Sequence, residues 1–353
     1  MKKALALTLV CLMMLAFAAC SEPAGTSSAE PAGAAASSAP ESSAVSSESA
    51  ASSDVSEAPA EAPASVTVQT LNGEGTEVDL EVPYNAERIA VMDLAALDML
   101  DTFGLGDKVV GVSKGSSIDY LQSYITNDAL ANLGTIKEAD LEALMSCEPD
   151  LIFIGGRLSA QYDEFSAIAP VVYLGTDTEI GVVESVRKNA MTIASMFGVE
   201  EMVEEQLQGF DSRVEALKAA GEGKSAVVGM CTSGSFNTMG NDGRCSIIGK
   251  ELGFDNLADG DVTSTHGNES SFELLVELNP DYIFVMDRDA AIGTDGAQLA
   301  QEIMENELVM KTAAYENGNI VYLEHPAVWY TAEGGIHALD VMLSDLESAL
   351  LSE

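Results

Sequence analysis

Residues 146–157 (SCEPDLIFIGGR) and 277–288 (ELNPDYIFVMDR) read as one phrase written twice, 131 residues apart. Aligned without a gap, the two copies pair Leu141 with Phe272, Glu142 with Glu273, Leu144 with Leu275, Pro149 with Pro280, Asp150 with Asp281, Ile152 with Ile283, Phe153 with Phe284 and Arg157 with Arg288. A second echo, VVYLGT (171–176) against IVYLEH (320–325), follows each copy at a similar distance. The unit is duplicated, and short apolar runs alternate with amphipathic segments through both copies, which predicts two homologous α/β lobes.

The first lobe is expected over 65–180, with strands at 88–92, 109–112, 151–154 and 171–174 and helices near 94–103, 139–146 and 159–168. The second is expected over 222–353, with strands at 226–231, 282–286 and 320–323 and helices near 246–252, 272–278 and 335–350. Between them, 181–221 carries apolar residues at helical spacing. Val182, Val186, Ala190, Ile193 and Phe197 fall on one face, and after Gly198 the residues Met202, Val203, Leu207, Phe210, Val214 and Leu217 fall on another. About 20 residues of the second run would make a helix ~30 Å long. The prediction is a stiff helical spine joining two lobes with a ligand cleft between them, and a small motion on binding.

The chain opens with two lysines and an apolar run, 4–19, ending in small residues directly before Cys20. This is the form of a lipoprotein signal, so 1–19 is read as a signal peptide and Cys20 as the lipidated mature N-terminus. Residues 20–64 are almost all Ala, Ser, Pro, Glu and Gly, without an aromatic or basic residue, and are read as a disordered tether. Such a tether spans on the order of 35 Å root-mean-square. The expected location is the extracytoplasmic face of the cell membrane, in a Gram-positive type of bacterium.

The formal net charge is −41, and over 65–353 it is −36, from 50 acidic and 14 basic residues. Nucleic acid is a poor partner for that surface. Of the cysteines of the body, Cys147 stands where the other repeat has Leu278 and is read as core, while Cys231 and Cys245 are left open as a pair or as free thiols. No nucleophile elbow, phosphate loop or dinucleotide fingerprint occurs, so no enzyme is expected. Three scattered histidines are too few for a zinc or manganese receptor.

Open α/β sheets bind ligands beyond the carboxyl ends of their strands. Arg157 and Arg288 lie about three residues past equivalent predicted strands, so facing lobes would aim both into one cleft. Of the other four arginines, Arg88 precedes a strand and is read as structural. Arg187 and Arg213 lie among acids on the spine and are read as solvated. Arg244 falls in a Gly/Asn/Asp loop before a helix.

The ordered set LGTIKEADLEALMSCEPDLIFIGGR, STHGNESSFELLVELNPDYIFVMDRDAAIG and VWYTAEGG resembles the substrate-binding lipoproteins of ferric-siderophore ABC importers, most closely the catecholate branch. The likeness covers most of 66–353. It implies that Arg157, Arg244 and Arg288 neutralise a trianionic ferric catecholate, each with a planar fork of donors. It also implies that His266, with a tyrosine from the loop around Tyr330, can bind iron directly. The register there leaves Tyr330 and Val328 as alternatives, and a loop-structuring hydrogen bond is the other role open to His266. Glu142 and Glu273 are expected to dock on an ABC permease, which works with its ATPase. The resemblance further implies a monomer, no intrinsic cofactor and a transported ferric siderophore as ligand; a haem or corrinoid receptor of the same fold is the rival reading.

Overall fold

The computed structural model describes residues 62–351, apart from Ser117 and 261–265. The expectations for the signal 1–19, for Cys20 and for nearly all of the tether 20–64 lie outside the described residues. The chain enters through a hairpin, β1 (Ser65–Leu71) and β2 (Glu77–Pro83), turned at Asn72–Thr76. This hairpin was not among the expected elements, although Val66-Thr67-Val68 and Val78-Asp79-Leu80 alternate as a half-buried hairpin does.

The first lobe is an all-parallel sheet of β3 (Ile89–Met92), β4 (Val109–Val112), β5 (Ala131–Asn132), β6 (Leu151–Ile154) and β7 (Val171–Tyr173), in the order β5-β4-β3-β6-β7. Both β3 and β6 are buried along their whole length, which is why they read as unbroken apolar runs. The second lobe is built around β8 (Ser225–Thr232), β9 (Ser235–Thr238), β10 (Asp255–Asn256), β11 (Asn268–Glu269), β12 (Tyr282–Asp287) and β13 (Ile320–Tyr322). Its order is β11-β9-β8-β12-β13, with β10 beside the start of β8. Strands β8, β12 and β13 run parallel, whereas β9 returns antiparallel along β8.

The duplication is visible in register. Ile152 pairs with Val171 in one lobe and Ile283 with Ile320 in the other, so both sequence echoes meet at the same rung. The repeated Pro-Asp has a structural cause. Glu148 (φ 46) and Asn279 (φ 45) each turn left-handed, and the following aspartate reaches the start of the neighbouring strand. Asp150 accepts from the backbone N–H groups of Glu87 and Arg88 at 2.9 Å, and Asp281 from the N–H and hydroxyl of Ser225 at 2.9 Å. One difference separates the copies. Strand β12 runs on to Asp287 because β8 offers partners as far as Cys231, so Arg288 opens a helical turn directly after the strand and not three residues beyond it. Asp287 caps that turn through Ala290 N–H, 2.9 Å.

Two helices, Val182–Phe197 and Glu200–Gly221, join the lobes. They break at Gly198, left-handed at φ 67, where a Cβ would lie 2.3 Å from the Tyr84 hydroxyl. The C-terminal helix Ile336–Leu350 packs against both and against the first-lobe helix Leu94–Thr102. Two helix starts are closed across the molecule. The helix Val182–Phe197 begins after Gly181, which has no side chain to cap it, and Glu251 of the second lobe accepts from Val182 and Val183 N–H at 2.5 and 3.2 Å. The C-terminal helix begins after Gly335, and Asp98 of the first lobe accepts from His337 and Ala338 N–H, each at 2.9 Å.

Arg213 is not a solvated charge. It ties the spine to the C-terminal helix, with Nε 2.7 Å from Glu347, Nη1 2.5 Å from Asp340 and Nη2 2.9 Å from Ser344. Arg187 bridges the two spine helices to Asp211 at 2.8 Å. Arg88 is structural as expected, donating to the carbonyls of Cys147 and Glu148. Cys147, Cys231 and Cys245 are separate buried thiols.

Candidate functional site

Five residues expected at the site meet around one ring. Arg157 follows β6, Arg288 follows β12, Arg244 comes from the loop after β9, and Tyr330 lies on the short helix Pro326–Thr331. The guanidinium carbons of Arg244, Arg157 and Arg288 stand 4.5, 5.6 and 5.8 Å from the Tyr330 ring centre. His266 Nε2 is 3.2 Å from the Tyr330 hydroxyl, and Arg288 Nε donates to that hydroxyl at 3.4 Å. Arg244 Nε and Arg157 Nη2 donate to the Tyr330 carbonyl at 3.2 and 3.4 Å. Val328, the alternative to Tyr330, is buried on the same helix and has no donor atom in its side chain.

Local chemistry places each group. Asp93 directly follows β3 and caps the helix Leu94–Thr102 through Ala96 N–H, 3.0 Å. Gly155 passes so close that a Cβ would meet an Asp93 oxygen at 2.4 Å, and this close passage leads directly into Arg157. Arg288 is fixed by the buried Asp289, 3.0 Å away, and by Thr232 at 3.2 Å. Asp345, itself buried, holds the helix carrying Tyr330, accepting from Trp329 Nε1 at 2.9 Å and from His325 N–H at 3.1 Å. His325 and His337 are structural: the first meets Asp345 at 2.6 Å, and the second packs nearly perpendicular to Tyr120 with ring centres 4.4 Å apart.

The charges bias the protonation states. Burial would raise the Tyr330 phenol, but the Arg288 hydrogen bond and the positive field of Arg244, Arg288 and Arg157 outweigh it, so ionisation is eased. Burial lowers His266, and Arg288, Arg244, Lys137 and Arg157 lower it further, which favours neutral imidazole. A neutral imidazole and a readily ionised phenol are the forms that bind metal ions. Burial, then the neighbouring Arg157, lowers Arg244. Acids that were not among the expected site residues also stand here. Asp93, Glu333 and Asp289 stand near Arg157, Arg244 and Arg288 respectively. Glu333 was within view, in the quoted VWYTAEGG, but only the fold turns it toward Arg244.

Glu142 and Glu273 do not join the cleft. Each is exposed in the first turn of equivalent helices, Leu141–Ser146 and Phe272–Leu278.

A model of the periplasmic binding protein family matches residues 89–327. The chain belongs to the periplasmic binding protein family. It is 35% identical over 272 residues to the petrobactin-binding protein YclQ of Bacillus subtilis, covering 76% of this chain and 84% of that one. It superposes on the YclQ crystal structure with a TM-score of 0.75 at 33% identity, covering 82% of this chain and 99% of the other. The periplasmic catecholate-siderophore binding protein VctP of Vibrio cholerae superposes with a TM-score of 0.73 at 32% identity, over 80% of this chain and all of VctP. The ferric-anguibactin-binding protein FatB of Vibrio anguillarum is 25% identical over 74% of this chain and 81% of its own length. The two-lobed α/β class read from the duplicated phrase is that of this periplasmic binding protein family, and these relatives are binding proteins.

Proposed function

We propose that this protein captures a ferric siderophore of the catecholate type in the arginine-lined cleft and delivers it to an ABC permease and its ATPase for iron uptake. The observation that carries the reading is the convergence of Arg157, Arg244 and Arg288 on Tyr330, with His266 at its hydroxyl. Three guanidiniums match a trianionic ferric tris-catecholate in charge, in planar donors and in flat faces for aromatic rings. The ligands in the relatives' names, petrobactin and anguibactin among them, favour this over haem or a corrinoid. His266 and Tyr330 supply iron ligands when the siderophore offers fewer than six donors. In the conformation described, the Tyr330 ring fills the centre and leaves a cavity of about 180 Å³, so entry requires that ring to swing or the lobes to part. Lobes 65–180 and 222–353 on the spine 181–221 act as a monomer without intrinsic cofactor or catalysis.

The test is selectivity by charge. Trp329 is fully buried beside Tyr330, so its fluorescence reports on the cleft. Ferric catecholates should quench it at concentrations far below those needed for neutral ferric hydroxamates, haem or cobalamin. Equal affinity for catecholate and hydroxamate complexes, or tighter binding of haem, would overturn the reading.

The exposed pair Glu142 and Glu273 is assigned to docking on the permease, and lipid on Cys20 to holding the protein at the extracytoplasmic face of the membrane in a Gram-positive type of cell. Changing both glutamates to Ala should leave siderophore affinity within a few-fold and abolish uptake by cells, with partial defects for each single change. In the same cells Cys20→Ser should shift the protein out of the membrane fraction. Normal uptake by the double variant, or unchanged partitioning of Cys20→Ser, would remove the corresponding assignment.

A further inference from the structure

The cleft is built as a nearly balanced set of charges. Arg288 is locked to Asp289, which is 4% exposed and also receives Ser233 N–H at 2.6 Å, so this acid is fixed in place. Asp93 is likewise committed, as the cap of a helix. Glu333 is different. It sits in the loop after the Tyr330 helix and lines the cleft together with Arg157, Arg244 and Asp93, and among the described residues its one hydrogen bond comes from Cys245 N–H at 2.9 Å. A second carboxylate acts on it, that of Glu251, whose Oε1 is spent on capping the spine helix and whose Oε2 is buried without a hydrogen-bond partner among the described residues.

We propose that Glu333 is an exchangeable counter-ion of the cleft: its carboxylate balances Arg244 while the cleft is empty and takes a proton as an anionic ligand arrives, so that capture draws one proton from solution. The inference rests on the proposed function and deepens it. An empty cleft with three guanidiniums around one ring needs nearby negative charge. A bound trianion supplies that charge itself, and an ionised Glu333 then repels it. The groups facing Glu333 all bear on its titration. Burial raises it first, the Cys245 amide and Arg244 pull it down, and Glu251 raises it again, leaving it at about 7. Arg157, Asp93 and Tyr330 line the rest of that wall, and burial holds the Cys245 thiol neutral. Near neutral pH the carboxyl is therefore poised to change state. The bond made is O–H on Glu333, and the proton comes from buffer.

The sign follows. An anion binds better to the protonated form, so affinity falls as pH rises through the value of the free protein, by up to roughly tenfold per pH unit. Glu333→Gln is an isosteric, permanently neutral stand-in that keeps an oxygen for Cys245 N–H. With a preformed ferric tris-catecholate complex as probe, calorimetry at pH 7.5–8 in buffers of different ionisation enthalpy should show wild type taking up nearly one proton more than Glu333→Gln. Ionisation of Tyr330 would release a proton in both, so the difference isolates Glu333. The ratio of wild-type to variant Kd should rise from near 1 at pH 6 to about tenfold at pH 8. In the ligand-free wild type, the Glu333 carboxyl carbon should titrate near pH 7 by carbon NMR. A carboxyl titrating below about pH 5, or equal proton counts in wild type and variant, overturns the proposal. Failure of wild type to bind any catecholate complex while Glu333 still titrates near 7 overturns instead the siderophore reading, and this proposal with it for that ligand.

Discussion

Alanine at Arg157, Arg244 or Arg288 is expected to weaken ferric catecholate binding by roughly 30- to several-thousand-fold, since losing one charge-assisted partner in a desolvated interface costs about 2–5 kcal/mol. Arg288, 17% exposed and clamped by Asp289 and Thr232, belongs at the top of that range. Arg157, exposed on the first lobe, belongs at the bottom. Lysine should restore only part of the loss, because it keeps the charge without the planar fork. Melting should barely change for Arg157→Ala and Arg244→Ala, since each removes one of several crowded like charges. Arg213 is unsuited as the neutral control, being tied to the C-terminal helix; Lys218, with one weak pair to Glu215 on its own helix at 3.8 Å, is suited. Unchanged affinity for all three cleft variants by fluorescence titration would show that the arginines serve the fold and not the ligand.

Asp98→Ala is expected to cost roughly 3 kcal/mol, from the lost cap and from buried donors left unpaired. That is a fall of about 5 °C in Tm for a body of this size. Its carboxylate serves His337 N–H, Ala338 N–H and the Tyr120 hydroxyl at once, the last at 2.5 Å. Burial raises Asp98 to about 6, against the opposing hydrogen bonds from Tyr120, His337 and Ala338. Because the folded value lies above that of the unfolded chain, this term favours the fold fully below about pH 4. It is lost as pH rises through about 6, where the folded state binds more protons than the unfolded one. Wild type should thus lose stability relative to Asp98→Asn between pH 4 and 6.5 in parallel denaturant titrations. A difference that does not vary with pH would mean that Asp98 is ionised throughout.

Much of this molecule is legible in its sequence because duplication supplies an internal comparison. Ile152 and Ile283, or Pro149 and Pro280, test one another without any second protein, and an apolar run buried on both faces leaves a plain signal at β6 and β12. The helices 94–103 and 272–278 carry equally plain periodicity and form within a residue of expectation. Segments held mainly by neighbours were harder to read. The expected helix 159–168 forms as a 3-10 stretch, Gly156–Gln161, followed by one helical turn, Tyr162–Ser166, and the two-residue strands β5, β10 and β11 exist only because a longer strand offers an edge. At the cleft, arginines stand out in an acid-rich chain by rarity alone. Asp93, Glu333 and Asp289 do not, because 57 acids hide any three. Position in space, not residue type, distinguishes them.

The reciprocal caps bear on how the molecule can be taken apart. Glu251 of the second lobe closes the first spine helix, and Asp98 of the first lobe closes the C-terminal helix. A fragment holding only 65–221 would leave the Val182 and Val183 amides open, and one beginning at 222 would leave those of His337 and Ala338 open. Each half borrows its finishing piece from the other. A split reporter cut in the spine should therefore stay dark until both halves are present, and complementation of the fragments, once it occurs, should restore two helix ends in a single step.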